Sequence, residues 1–334
     1  MNRPDTPTPD APTDQTPTDD TPTVRGGADA LAVHAPAAAA ALAGVEGALW
    51  GEARRIGAVA PVARAARACS SPFGLRPLRP DGSTGPDRVD DAPQDDGEAL
   101  DGLAPPDRAL HLFARQFALD VSAVTGSERA SLADHWGRET GVLAACVFVV
   151  DFLPRTRAAL DALFGSVPWQ GPPADPSPPD LWDALDGLVR VVPSLDALDP
   201  VTSELVRLRG ARQHHCRLCS SLRSRPALRA GADDAVFAAV DGYRDSALSP
   251  LQRAALAVTD GMIWTPGRLD PVDLAALGAV ATPAQQVELV LDVTRNALNK
   301  VAVALGADAA HVEDGIEIYD VGPDGTLVYG LSPD

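Results

Sequence analysis

The chain has 334 residues and a net charge of −18, enough length for one large domain or two modest ones with ample core. The acidity argues against nucleic acid as a partner. Four cysteines in this length exclude a secreted disulfide scaffold. The opening residues carry no signal-peptide pattern, and the Ala-rich stretch that follows is too short and too weakly apolar to span a bilayer. The expectation is a cytoplasmic protein with no membrane partner.

In chain order, residues 1–29 read as a disordered acidic Thr/Pro tail, with almost nothing apolar to bury. Residues 30–105 read as Ala-rich helices, two pieces split near Pro61, followed by a Pro/Gly/Asp linker over 71–105. Residues 106–176 form an N-terminal helical half with helices near 106–124, 127–150 and 155–164, then a Pro-rich break. Residues 177–334 form a second helical unit.

That unit is punctuated by a cap residue followed by proline. The pairs are Ser177-Pro178, Asp199-Pro200, Ser249-Pro250, Asp270-Pro271 and Thr282-Pro283. Proline suits the first helical position because its missing N–H would be unpaired there. Ser249 to Gln252 and Thr282 to Gln285 have capping-box spacing. The last helix is expected to run from Pro283 to about Gly306. Beyond it, Ile316–Val321, Gly-Pro-Asp-Gly and Thr326–Tyr329 give a β-hairpin pattern, which must pack on the helices or on a neighbouring subunit to be stable.

The densest chemistry lies between Glu204 and Arg229. Cys216 and Cys219 form a Cys-x-x-Cys pair among Arg207, Arg209, Arg212, Arg217, Arg223, Arg225 and Arg229, with no acid between Glu204 and Asp233. Positive charge and a helix start both favour thiolate over thiol. On a continuing helix Arg223 would lie one turn from Cys219. The pair can be a redox dithiol, part of a metal site with His214 or His215, or inert. A structural zinc usually takes four ligands, and no second Cys/His cluster is visible. Glu204 reads either as a proton relay or as a helix-face acid paired with Arg207 or Arg209. Cys69 and Cys146 read as buried apolar residues, and Asn296 and Asn299 as hydrogen-bonding across helices.

The run Glu204-Leu-Val-Arg-Leu-Arg209, six further residues, Cys216-x-x-Cys219 and a following helix resembles the AhpD-like / carboxymuconolactone decarboxylase family. So do Leu248–Val258 and Gln286–Lys300, the latter with its paired asparagines. The resemblance covers about residues 180–310. It implies an all-α, AhpD-like helical bundle, here with a C-terminal hairpin, usually homo-oligomeric. It also implies thiol-dependent reduction of a peroxide or disulfide, with no organic cofactor, a redox-active Cys216–Cys219 disulfide and an external thiol reductant. Cys219 resembles the attacking thiol, Cys216 the resolving thiol and Glu204 the relay acid. Where the family has a histidine four residues past the second cysteine, this chain has Arg223. Between the cysteines it has Leu218. A guanidinium of pKa above about 12 cannot shuttle protons, so His214 and His215 are the remaining relay candidates. The competing readings are a lactone decarboxylase-like lyase and a non-catalytic helical oligomer.

Overall fold

The computed structural model describes residues 24–83, 100–172 and 179–333. Helix accounts for 66% of the chain and strand for 3%, an all-α fold with a small three-stranded sheet near the C-terminus. Most of the tail reading for 1–29 falls outside the described residues, but its end does not. Helix α1 (Gly27–His34) starts inside it. A Cβ on Gly27 would lie 2.7 Å from the Leu160 carbonyl carbon, so the glycine lets α1 approach a neighbouring helix backbone.

The Ala-rich stretch makes three helices rather than two: α1, α2 (Pro36–Arg55) and α3 (Val59–Ser70). The breaks fall before Pro36 and at Gly57, which has φ +70°. Pro61 sits in the first turn of α3, where a missing N–H costs nothing. Next come α4 (Pro105–Leu119), α5 (Gly126–Trp136) and α6 (Thr140–Phe164). Here the expected boundaries shift. The 127–150 stretch breaks at Gly137, and α6 runs for 25 residues straight through Pro154. An interior proline costs about 3 kcal/mol. Residues 142–156 of α6 are all buried, and that packing outweighs the cost.

Helix α7 (Leu181–Val191) is capped by Asp180, while the Ser177-Pro178 start lies outside the described residues. The other cap-proline signals hold. Asp199 caps α8 (Pro200–Gln213), Ser249 closes a capping box on α12 (Pro250–Trp264), Asp270 caps α13 (Pro271–Val280), and Thr282 closes a capping box on α14 (Pro283–Ala297). The expected Pro283–Gly306 helix breaks at Leu298-Asn299 and resumes as α15 (Lys300–Leu305). Asn296 and Asn299 bond locally at that break, Asn299 donating to the Asn296 carbonyl, instead of bridging helices.

Helix α6 lies at the centre, packed against α1, α3, α4, α14 and α15, while α8 is held between α12 and α14. One hydrophobic core takes residues from Ala30 to Ala304, so the N-terminal helices and the cysteine-bearing unit share an interior.

The hairpin forms as β2 (Glu317–Val321) and β3 (Leu327–Val328), paired antiparallel. It gains a strand the sequence reading assigned to helix. β1 (Leu222–Ser224) pairs parallel with β2, Arg223 opposite Ile318 and Ser224 opposite Tyr319. The C-terminal hairpin is therefore built directly onto the segment that follows Cys219.

Candidate functional site

Cys216 caps a single helical turn, α9 (Arg217–Ser220), and bonds to Cys219 in a disulfide with Cα atoms 5.3 Å apart. The Cys219 N–H points at the Cys216 sulfur at 3.2 Å. The expected helix beyond the pair does not continue. Its carbonyls are taken elsewhere: Arg207 accepts the role of donor to Cys219 O at 2.7 Å and Leu222 O at 2.9 Å, and Glu317 N–H donates to Ser221 O. Pro226, which a helix would need as donor to Leu222 O, has no N–H. The chain therefore leaves the turn as β1. After Ser224 it turns back into two short helices, α10 (Arg225–Arg229) and α11 (Asp234–Ala238).

Beneath the pair, Glu204 is fully engaged. Arg207 donates to both carboxylate oxygens at 2.7 Å, the Ser224 N–H donates at 3.1 Å and the Tyr319 hydroxyl at 3.0 Å. The helix-face pairing with Arg207 is thus what forms. Burial opposes the Arg207 charge, but Glu204 and Tyr319 more than offset it and raise its pKa above the arginine range. Burial, reinforced by Glu204, pushes the Tyr319 hydroxyl up. Glu204 and Arg207 hold the backbone of the cysteine turn rather than standing free at its sulfurs.

The two histidines part company. His214 is buried, edge-on to the Phe152 ring, and its Nε2 has no hydrogen-bond partner among the described residues. Burial, with Lys300 and Arg155 adding to it, holds its pKa well below the usual histidine value, so it is neutral at physiological pH. His215 adopts φ +51° and is exposed. Arg223 is on β1 and not on a helix with Cys219. Its guanidinium donates to the Ser220 and Leu222 carbonyls and covers the Phe237 ring.

Most of the arginine field is neutralised by acids from distant segments. Arg209 meets Asp260 at 2.6 Å, Arg217 meets Asp308 at 2.7 Å, and Arg225 pairs with Asp320. Asp308 also accepts from the Arg217 N–H, while its carbonyl takes the Leu218 N–H. Its pKa drops because Arg217 outweighs burial. Both cysteines are covered: Cys216 is 1% exposed and Cys219 5%. Among the described residues no three His, Cys, Asp or Glu side chains gather as a metal-ligand set. No helix of the described residues is long and apolar enough to cross a membrane.

A second polar centre went unread in the sequence. Asp151 pairs with Arg155 at 2.7 Å and with Lys300 at 2.5 Å, all three buried in the core beside Cys69. Lys300 lies over the Phe117 ring, and Arg155 over Phe73. Arg155 also donates to the carbonyls of Ala118, Met262 and Ile263, closing the ends of α4 and α12. The available signals were the i,i+4 spacing of Asp151 and Arg155 and the fact that Lys300 is the sole lysine. The thiols of Cys69 and Cys146 are buried and pushed up by that burial.

Two proteins of Mycobacterium tuberculosis, uncharacterized protein Rv2313c of strain H37Rv and uncharacterized protein MT2376 of strain CDC 1551, are each 41% identical to the chain over 237 residues. The match covers 68% of this chain and 82% of each relative. The chain belongs to the Rv2313c family. No family model matches it, and no solved structure matches it. In this member of the Rv2313c family the best-defined chemistry is the disulfide with the Glu204–Arg207–Tyr319 support beneath it.

Proposed function

We propose that this protein is a thiol-dependent oxidoreductase resembling the alkylhydroperoxidase branch of the AhpD-like family, working through Cys216 and Cys219. The observation that carries the reading is the disulfide between cysteines three residues apart at the start of a helical turn. In the reduced form the thiolate of Cys219, the less deeply buried of the two cysteines, attacks the O–O bond of a hydroperoxide. Cys219 becomes a sulfenic acid and the alcohol leaves, taking up a proton. The Cys216 thiol then attacks the sulfenic sulfur, closing the disulfide and releasing water. Two equivalents of an external thiol restore the dithiol and leave as a disulfide. Exposed His215, the residue before Cys216, is the proton acceptor within the segment, since the burial and cations that hold His214 neutral also keep it from taking up a proton, and Glu204 acts through Arg207 to position the turn. Turnover requires the cover over both sulfurs to open.

A second reading has its own support. Burial of both sulfurs and full engagement of Glu204 favour a non-catalytic helical scaffold stapled by the disulfide. The pairing of most arginines weighs against a lyase that would hold a lactone carboxylate. Mass spectrometry and alkylation of the folded protein, with and without reductant, separate the two. The oxidoreductase should gain two alkylatable thiols, at Cys216 and Cys219 only, without loss of helical signal, and then consume hydroperoxide. A disulfide that resists reductant until the chain unfolds, or a Cys219→Ser variant with full peroxide turnover, overturns the assignment.

A further inference from the structure

Of the arginines from Arg207 to Arg229, five have carboxylate partners: Arg207 with Glu204, Arg209 with Asp260, Arg212 with Asp241, Arg217 with Asp308 and Arg225 with Asp320. Arg229 ends α10 at an exposed position. Arg223 differs from all of these. It is half-buried, and no carboxylate of the described residues forms an ion pair with it. Its Nη1 is spent on the Ser220 and Leu222 carbonyls. Its Nε is buried with no acceptor among the described residues. A buried donor left unpaired is a cost to the fold. Burial, with Arg207 and Arg212 nearby, pulls its pKa below the usual arginine range despite Glu204 and Asp234. Arg223 is therefore a half-buried guanidinium of this field with no carboxylate of its own among the described residues. It also adjoins the disulfide backbone, because Leu222 O accepts from both Arg223 and Arg207, and Arg207 holds Cys219 O.

We propose that Arg223 receives the carboxylate of a small anionic thiol and so selects the reductant that opens the Cys216–Cys219 disulfide. The inference rests on the oxidoreductase reading. A planar guanidinium fork matches a carboxylate, and docking it there brings the thiolate to the cysteine turn. The exchange is balanced. The thiolate attacks the Cys219 sulfur, the Cys216 sulfur leaves with the electron pair and takes a proton. A second thiolate then attacks the mixed disulfide, releasing the external disulfide and the Cys219 thiolate. Arg223 makes and breaks no bond; it is a positioning residue.

The test compares disulfide opening in the full chain by mercaptoacetate (anionic), 2-mercaptoethanol (neutral) and cysteamine (cationic). Each rate is scaled to its thiolate concentration and read by alkylation at Cys216 and Cys219. On a protein of net charge −18 the general field favours the cationic thiol, so an anion preference reports a local cation. The expected result is mercaptoacetate faster than cysteamine by about tenfold at low salt, the advantage shrinking as salt screens it. Arg223→Gln should bring the ratio to one or below, and Arg223→Lys should retain the larger part of it. If Arg223→Gln fails to fold, Arg229→Gln decides: the anion preference should survive in it, and its loss there overturns the inference. A wild type with no anion preference overturns the inference and leaves the oxidoreductase reading standing. If none of the three thiols opens the disulfide in the folded protein, that reading falls and this inference with it.

Discussion

Tyr319 donates its hydroxyl to the Glu204 carboxylate at 3.0 Å, joining the C-terminal hairpin to the helix that precedes the cysteine pair across 115 residues of chain. A hydrogen bond to a buried charged group contributes about 1.5–3 kcal/mol. Tyr319→Phe should therefore lower unfolding stability by about 2 kcal/mol, with the m-value unchanged, and should speed opening of the Cys216–Cys219 disulfide because β2 is less firmly held. Urea denaturation and alkylation rate measure the two effects. A loss under about 0.5 kcal/mol, within the range of a neutral surface change, would show that the hydroxyl is not bonded to the acid.

Removing Glu204 should cost more. Glu204→Ala strands the buried Arg207 guanidinium, and breaking one side of a buried ion pair costs about 3–5 kcal/mol. Glu204→Gln keeps one of the two acceptor oxygens, and the Tyr319 hydroxyl can turn to accept from the new amide, so it should cost less. The order of the two denaturation midpoints checks this. Equal, small losses in both variants would mean that the acid is not carrying the turn.

The parts legible in the sequence are those fixed locally. Asp199, Ser249, Asp270 and Thr282 start their helices where a cap followed by proline says they should, because the cap needs only its own next three residues. The hairpin at Glu317–Val328 is likewise set by its own alternation and turn. What was not legible depends on distant partners. β1 exists because Arg207 and Glu317 take carbonyls that a helix would have used. Helix α6 survives Pro154 because it is enclosed by other helices. The arginine field read as a local surplus of positive charge, since its neutralising acids, Asp260, Asp308 and Asp320, arrive from 51 to 95 residues away.

Two carboxyls on α14 give the protein a pH dependence. Burial, then repulsion from Asp292, pushes Glu288 up to about 7, against the Leu198 and Ala197 N–H groups that donate to it; Asp196 adds to the rise. Burial pushes Asp292 up to about 6, against the Ser203 hydroxyl and Arg295. In the unfolded chain such groups titrate near ~4. Between about pH 4 and 7 the folded state therefore binds more protons than the unfolded one, and stability falls as pH rises through that window. Asp292→Asn removes its share of this loss. Its stability relative to wild type should improve between pH 5 and pH 8, as read from urea midpoints. A difference that stays flat over this range would show that Asp292 titrates normally in the fold.

The core cluster of Asp151, Arg155 and Lys300 carries one negative and two positive charges, so its members are not equivalent. Lys300→Met leaves Asp151 still paired with Arg155 at 2.7 Å and replaces an ammonium by an apolar group of similar length among Phe117 and Phe152. Burial already pulls the Lys300 pKa below its ordinary value, with Asp151 opposing and Arg155 adding to the fall, which is the mark of a charge held at a cost. Asp151→Asn instead strands both cations in a region without solvent. A single uncompensated buried charge costs about 3–5 kcal/mol, so Asp151→Asn should lose at least that much, or fail to accumulate as folded protein. Lys300→Met should lose under about 2 kcal/mol, the ceiling usual for volume-conserving core changes plus one lost bond. Thermal and urea unfolding of the two variants side by side read the order. If Lys300→Met proves the more damaging, then the ammonium, and not the carboxylate, is the group on which the other two depend.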